Sequence, residues 1–277
     1  CRIPARLARA RHRSVRSDDA HQWWVVRMNR TTTAFSIGIK EQARNYVLVA
    51  LLVVLPVSFI TLAFAVTQDV EMPVRTLVDG ETATVMRGMP EVHGVIMTPI
   101  TSALIAGLAG LFLMREAKDT DGRLAVAGYR AWQVIAARFG VLAAITLIVT
   151  GVSVGVMLVD FQPEYLWWFV AAMLVVSVTY GLIGMLVGAV FNRLAGMWLM
   201  LILPMLDIGL FQDPLFIQSE PDWWMKLFPG YWPVRVMVDT GLTTDVDTAL
   251  SLVWATGYLL LVAVLAIGVY YRATQAS

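Results

Sequence analysis

Cysteine is almost missing from this 277-residue chain: Cys1 is the only one, so no disulfide framework and no cysteine-built zinc or iron-sulfur site can form within it. Histidine is nearly as scarce, with His12, His21 and His93 the only three, and no Ser/His/Asp set or metal-spaced group gathers around them. Charge is short as well. Asp, Glu, Lys and Arg make up 15% of the residues, against roughly 25% in a soluble domain. In their place 58% of the chain is hydrophobic and the mean hydropathy is +0.69. A water-soluble monomer would expose far larger apolar patches than such proteins tolerate, so lipid is the solvent for much of this chain. A net charge of +1 gives no basic field to hold nucleic acid. No G-x-x-x-x-G-K-[ST] phosphate loop occurs, so the sequence carries no nucleotide-driven motor of that kind.

Long apolar runs take up the space that charge leaves. A helix crossing a hydrocarbon core of about 30 Å needs about 20 apolar residues. Five runs reach that length without an internal charge, at 46–67, 95–114, 139–159, 166–191 and 249–271. A sixth, 194–211, is shorter and contains Pro204 and Asp207, which predicts a span that is broken or shallow at its outer end. The runs are continuous rather than alternating, so they predict helices and not a barrel. The expected fold is therefore all-α, with six transmembrane helices in a single domain over residues 28–277.

Lysine and arginine set the orientation. With the N-terminus inside, the inner segments hold Arg27, Arg30, Lys40, Arg44, Arg115, Lys118, Arg123, Arg130, Arg138, Arg193 and Arg272. The outer segments hold only Arg75, Arg87, Lys226 and Arg235. That bias places both termini in the cytoplasm. Residues 1–27, with Arg2, Arg6, Arg9, Arg11, Arg13, Arg16 and Arg27 and no apolar run behind them, are read as a basic leader that is disordered or not native.

The connecting segments carry further signals. Phe35, Ile39 and Ala43 recur at i, i+4, i+8, with Lys40, Glu41 and Arg44 turned away, the pattern of a helix lying in the cytoplasmic interface. The cytoplasmic segment from Arg115 to Arg138 opens with mixed charges, is expected to break at Gly122, and resumes with Leu124, Ala127, Ala131 and Ile135 on one face. An amphipathic helix there suits either a soluble partner or lipid headgroups. The outer loop 68–94 is acidic, and His93 beside Glu91 supplies too few ligands for a metal. Gly151 with Gly155, and Gly184 with Gly188, form G-x-x-x-G patterns expected to pack helices closely. Pro56 and Pro99 are expected to kink their spans. The last outer segment, 212–248, is rich in Trp, Pro and Gly and predicts short helices dipping into the outer interface. Only Asp207 is charged within a span, so a proton relay has little to be built from.

This order of parts resembles the membrane subunit of type-2 ATP-binding-cassette (ABC) exporters. The run from Val92-His93-Gly94 through Met114 into Arg115-Glu116 is similar to that family's second span and the acidic residue opening its coupling helix. Gly122-Arg123-Leu124 through Gly128-Tyr129 to Arg138 resembles its coupling segment. Leu203-Pro204-Met205 through Phe211 and Pro214, then Leu227-Phe228-Pro229, resembles its fifth span and outer re-entrant helices, from which Asp207 departs as a charged residue. The resemblance covers about residues 31–272. It implies half of a translocation path in a prokaryotic plasma membrane, completed by a second permease chain, identical or not. ATP would be hydrolysed on separately encoded ATPase subunits, leaving this chain without a cofactor or catalytic residues of its own.

The coupling residues it implies are Arg115, Glu116, Lys118, Asp119, Asp121, Arg123 and Arg130, with the interfacial helix around Phe35, Ile39, Lys40 and Arg44 as a second contact. Thr98, Thr101, Ser102, Met200 and Asp207 would face the path. A mostly apolar lining would suit an amphipathic or hydrophobic substrate such as a lipid, drug or peptide. A self-contained carrier or channel, a scaffold subunit without transport, and an intramembrane enzyme are the competing classes; a neighbouring gene for a P-loop ATPase would separate the exporter from them.

Overall fold

The computed structural model describes residues 18–44, 46–78, 81–126, 129–214, 221–244 and 248–275. Helix α1 (Asp18–Arg44) leads into α2 (Tyr46–Val66), and a two-stranded hairpin, β1 (Glu71–Val78) and β2 (Glu81–Gly88), follows. Then come α3 (Met89–Val126), α4 (Ala131–Met157), α5 (Leu166–Val190) and α6 (Arg193–Leu206), which ends in a π-helical turn (Asp207–Phe211). A short 3₁₀ turn (Met225–Leu227), α7 (Tyr231–Leu242) and α8 (Ala249–Gln275) complete the chain.

Among the described residues six helical segments are long and apolar enough to cross a membrane: Leu48–Val66, Met89–Glu116, Trp132–Met157, Leu166–Val190, Arg193–Phe211 and Ala249–Arg272. They coincide with the six predicted runs, and the chain is a multi-pass membrane protein. Helix α3 is the hub, packed against α2, α4, α5, α6 and α7, and nearly all of its span is buried within the chain. It is also the least hydrophobic of the six. Its outward-facing neighbours α2 and α8 leave most of their apolar side chains uncovered, including Val53, Val57, Leu62, Leu261 and Val264. Oily surface belongs to the lipid-facing helices, while the centre is built from small residues that let backbones touch.

That contact is closest between α3 and α5. A Cβ added at Gly110 would lie 1.9 Å from the Gly181 carbonyl oxygen, and one at Gly184 would lie 2.0 Å from that of Gly107. The expected packing role of Gly184 and Gly188 is therefore met inside the chain. The other predicted pair is not used in this way. Nothing lies within 4 Å of a Cβ placed at Gly151 or Gly155. Replacing both with alanine is expected to leave the thermal midpoint of the detergent-solubilised protein unchanged or slightly raised, since Gly in a helix interior costs roughly 0.5–1 kcal/mol relative to Ala. A clear drop in that midpoint would mean that these glycines pack against something outside the chain.

Four expectations are corrected. The fold is not purely helical, because the segment read as an acidic outer loop contains the hairpin. Its register pairs Val74 with Val85 and Thr76 with Ala83 on one face, turned toward the protein, while Arg75, Thr84 and Met86 on the other are partly or well exposed. Helix α1 begins at Asp18, so the second part of the supposed leader is helical; residues 1–17 lie outside the described residues. The break expected at Gly122 is absent, since α3 runs unbroken to Val126. No separate amphipathic helix follows it: the next one is α4 itself, starting at Ala131. Pro56 and Pro99 lie inside α2 and α3, which run on past them.

The described part of the segment between α6 and α8 returns through the bundle. Tyr180 lies fourteen residues along α5 from Leu166, a distance of about 21 Å at 1.5 Å per residue. Asp207 bonds both the Tyr180 hydroxyl and the Gly230 N–H at the start of α7. Near the other end of α7, the Thr240 carbonyl accepts from the N–H of Tyr165, just before α5 begins. Helix α7 therefore starts deep in the bundle and climbs back to the end where α3 and α5 begin. It is buried almost all round, from Tyr231 to Leu242, as a helix enclosed by other helices must be.

Candidate functional site

Two ends of the bundle collect the polar chemistry. At one end the last part of α3 meets α1, the start of α4 and the α5–α6 junction. Gln42 Nε2 donates to Glu116 Oε2 at 2.6 Å, and Arg138 donates to Glu41 at 3.4 Å. Arg115 donates to the Phe191 carbonyl that ends α5 at 2.6 Å. The Arg193 guanidinium lies over the Phe112 ring, 5.4 Å from its centroid. Five elements are thus tied together by charged and amide groups within about two turns of one another.

Glu116 and the helix around Phe35 and Ile39 lie together within the chain, joined through Gln42. The face of α1 turned inward carries Ala34, Gly38 and Gln42, with Phe35 and Ile39 flanking it against α4. Gly38 meets Val141 and Gly140 meets Phe35. Ala43, placed on the apolar face by periodicity, is exposed. The offset of one residue arises because the buried face carries a glycine against Val141 of α4 and an amide bonded to Glu116 of α3, residues to which a hydropathy pattern gives no weight. Lys40 and Arg44 are exposed, as is Arg130, whose backbone N–H donates to Gln133. The backbone of Lys118, Asp119, Asp121 and Arg123 continues α3, and their side chains lie outside the described residues.

Gln42 is 4% exposed and its Oε1 has no partner among the described residues. Glu116→Leu would strand the other end of the same amide, at a cost of about 1–3 kcal/mol. The expected result is faster proteolysis within α1 and a lower thermal midpoint, both largely restored by Glu116→Gln, which keeps an acceptor. Wild-type behaviour of the leucine variant would show that this bond does not hold α1.

The candidate path residues are enclosed in helix packing. Thr98 and Thr101 donate to the carbonyls of Gly94 and Met97 in their own helix, at 2.7 and 2.8 Å. Ser102 bonds Ser177 at 2.6 Å, and Thr150 of α4 donates to the same Ser177 hydroxyl at 3.1 Å. Met200 packs on Gly107 and is fully buried. All of these side chains, with Asp207, are buried among the described residues. The physical reason is that α3 is the hub, so its polar face is turned to α4 and α5.

Two further aspartates, both 0% exposed, organise the segment between α6 and α8, Asp207 at depth beside Tyr180 and Asp239 at the end where α5 begins. Asp207 Oδ2 accepts from Tyr180 at 2.5 Å and from the Gly230 N–H at 2.7 Å, while Gln212 donates to Oδ1 at 3.3 Å. Asp239 joins three elements. Thr248, just before α8, donates to its Oδ2 through both the backbone N–H (3.2 Å) and the hydroxyl (2.7 Å). Thr243 donates to Oδ1 at 3.2 Å, and Thr76 of the hairpin at 3.4 Å. Sequence reading singled out Asp207 for its rarity within a span. It passed over Asp239, which looks like one more acidic residue in an outer loop. The repeated threonines at 240, 243, 244 and 248 were the available signal, since threonine hydroxyls are ready donors to a buried carboxylate.

His93 sits against Thr67, with 2.9 Å between Nδ1 and Oγ1. Among the described residues no three His, Cys, Asp or Glu side chains gather to hold a metal ion. Compared with known proteins, the chain matches no family model and no curated protein sequence.

Proposed function

We propose that this chain is the membrane permease subunit of an ATP-driven exporter of the type-2 ABC kind. In this reading it forms half of a translocation path with a second permease chain and is driven by separately encoded ATPase subunits. The observation that carries the proposal is the construction of α3. One uninterrupted helix runs from the buried centre of the bundle past Glu116 to Val126, extending about 15 Å beyond the apolar span. A force applied to residues 117–126 reaches the hub directly. Through Gln42 with Glu116 and Arg138 with Glu41, it also reaches α1 and α4.

Three further features support the reading. The arginine-rich end carries this extension, which by the positive-inside rule is the cytoplasmic end and puts both termini there. Helix α7 and the π-helical turn take the part of the re-entrant outer helices. The apolar surfaces of α2, α6 and α8 would face lipid and a second permease chain. Closure of the ATPases would rock the two permease halves as rigid bodies between inward and outward access. A substrate of amphipathic or hydrophobic character suits a path opened between such surfaces.

The test is site-specific photo-crosslinking from position 121 in intact cells. The reading predicts an adduct with a P-loop ATPase subunit that depends on the photoreactive side chain. Adducts with lipid alone, or with another copy of the chain alone, would remove the coupling role from this segment and favour a carrier or scaffold.

A further inference from the structure

Helix α7 is held at both ends by buried carboxylates, and the two clasps differ in kind. Asp239 bonds α7 to Thr76 of the hairpin, distant in sequence, and to Thr248 just before α8, at the outer end. Asp207 reaches across from the end of α6 and takes the first N–H of α7 at depth, beside Tyr180 on α5. Among the described residues no cation pairs with Asp207; its donors are a phenol, a backbone amide and a side-chain amide. The receptor is closely built. A Cβ at Gly230 would lie 2.8 Å from Asp207 Oδ2 and 2.9 Å from Ile208 Cγ1, so only glycine lets the backbone approach.

The backbone around this carboxylate is also set for it. The π-helical turn at Asp207–Phe211 widens the end of α6 just where the carboxylate must face α5 and α7 together. Beyond it, Phe211, Trp224 and Phe228 pack edge to face with centroids 5.1 to 6.1 Å apart. These rings tie the π-helical turn to the segment leading into α7.

We infer that Asp207 is a releasable latch that keeps α7 seated between α3, α5 and α8, with the outer half of the bundle closed in this conformation. Breaking one carboxylate cluster frees the deep end of α7, while Asp239 retains its outer end as a hinge. The inference rests on the permease reading only in naming this end as the exit. Its test involves no ATPase, so the two can fail separately.

The full chain, with Cys1→Ser, is placed in lipid nanodiscs with a single cysteine at Val234 on α7 (2% exposed) or at Val141 in the α1–α4 contact (0% exposed). Both are labelled with a water-soluble maleimide. Asp207→Asn is expected to raise the labelling rate at position 234 by roughly tenfold to a hundredfold, the range of hydrogen bonds to a charged group, with position 141 unchanged. Tyr180→Phe, which removes one donor and little else, is expected to give a smaller rise at 234 only. An unchanged rate at 234 in Asp207→Asn overturns the latch. If Asp207→Asn raises both positions together, the fold has opened as a whole and Tyr180→Phe decides. A rise confined to 234 then upholds the latch, and any other result overturns it.

Discussion

A chain carrying Gly110→Ala is expected to be lost from the monodisperse peak on gel filtration in mild detergent, although the substitution adds one methyl group to a helix. The added Cβ would lie 1.9 Å from the Gly181 oxygen, 2.9 Å from its carbonyl carbon and 3.1 Å from the Met185 nitrogen. All three are backbone atoms of α5, and none can rotate away. Helices α3 and α5 would have to separate by more than an ångström. That breaks the Ser102–Ser177 bond of 2.6 Å and opens the reciprocal contact of Gly184 with Gly107. Overpacking alone costs about 1–3 kcal/mol, and a buried hydroxyl pair left unmatched adds about 1 kcal/mol or more. Against the few kcal/mol by which domains are stable, that is a large part of the whole. The same change at Gly151 and Gly155 is the control. Normal yield and an unchanged thermal midpoint for Gly110→Ala would mean that the α3–α5 contact is not as close as described.

The second large effect is expected at Asp239→Ala. Thr248 loses the acceptor for both its N–H and its hydroxyl, and Thr76 and Thr243 lose a partner as well. Threonine hydroxyls can turn elsewhere; Thr243 already donates to the Asp239 carbonyl at 2.8 Å. The Thr248 N–H cannot turn, and a buried donor left unmade costs about 1–3 kcal/mol. With the hairpin, α7 and the start of α8 all anchored on one side chain, a total loss of about 2–4 kcal/mol is expected, read as a fall in thermal midpoint and as proteolysis at the hairpin. Asp222→Ala provides the comparison. Asp222 is exposed, and among the described residues its carboxylate accepts one long bond, 3.3 Å from Trp224 Nε1, so a change within about 0.5 kcal/mol is expected. Equal effects of the two substitutions would contradict the role given to Asp239.

The six spans were legible because hydrocarbon thickness imposes a length on every crossing helix, and the hydropathy runs report that length directly. Which span is central was not legible from hydropathy, which ranks α3 last of the six and so points away from burial. Its small residues, Ser102, Ala106, Gly107 and Gly110, were the better guide. The G-x-x-x-G pattern marked Gly184 and Gly188, which meet α3, and equally Gly151 and Gly155, which meet nothing among the described residues, because spacing marks a smooth face without saying what covers it.

The hairpin was missed although Asp79-Gly80 lies between two runs of alternating residues, a strong short-range hairpin signal. The acidic character of the segment drew attention instead. Around Glu116 the contacts within the chain were not legible in the sequence. Glu116 looks free in a sequence and is bonded to Gln42, seventy-four positions away. Asp207 was noticed for its charge. Its function as a tie between α5, α6 and α7 needed the depth at which α7 begins.

The most direct test of the permease account is to tag the chain, extract it from its native membrane in mild detergent, and identify what co-purifies in stoichiometric amount. The account predicts a P-loop ATPase subunit, lost when Asp119 and Asp121 on the extension of α3 are both reversed to lysine while the chain itself remains monodisperse. A chain that comes out alone and homogeneous, with any co-encoded ATPase left in the soluble fraction, would contradict it.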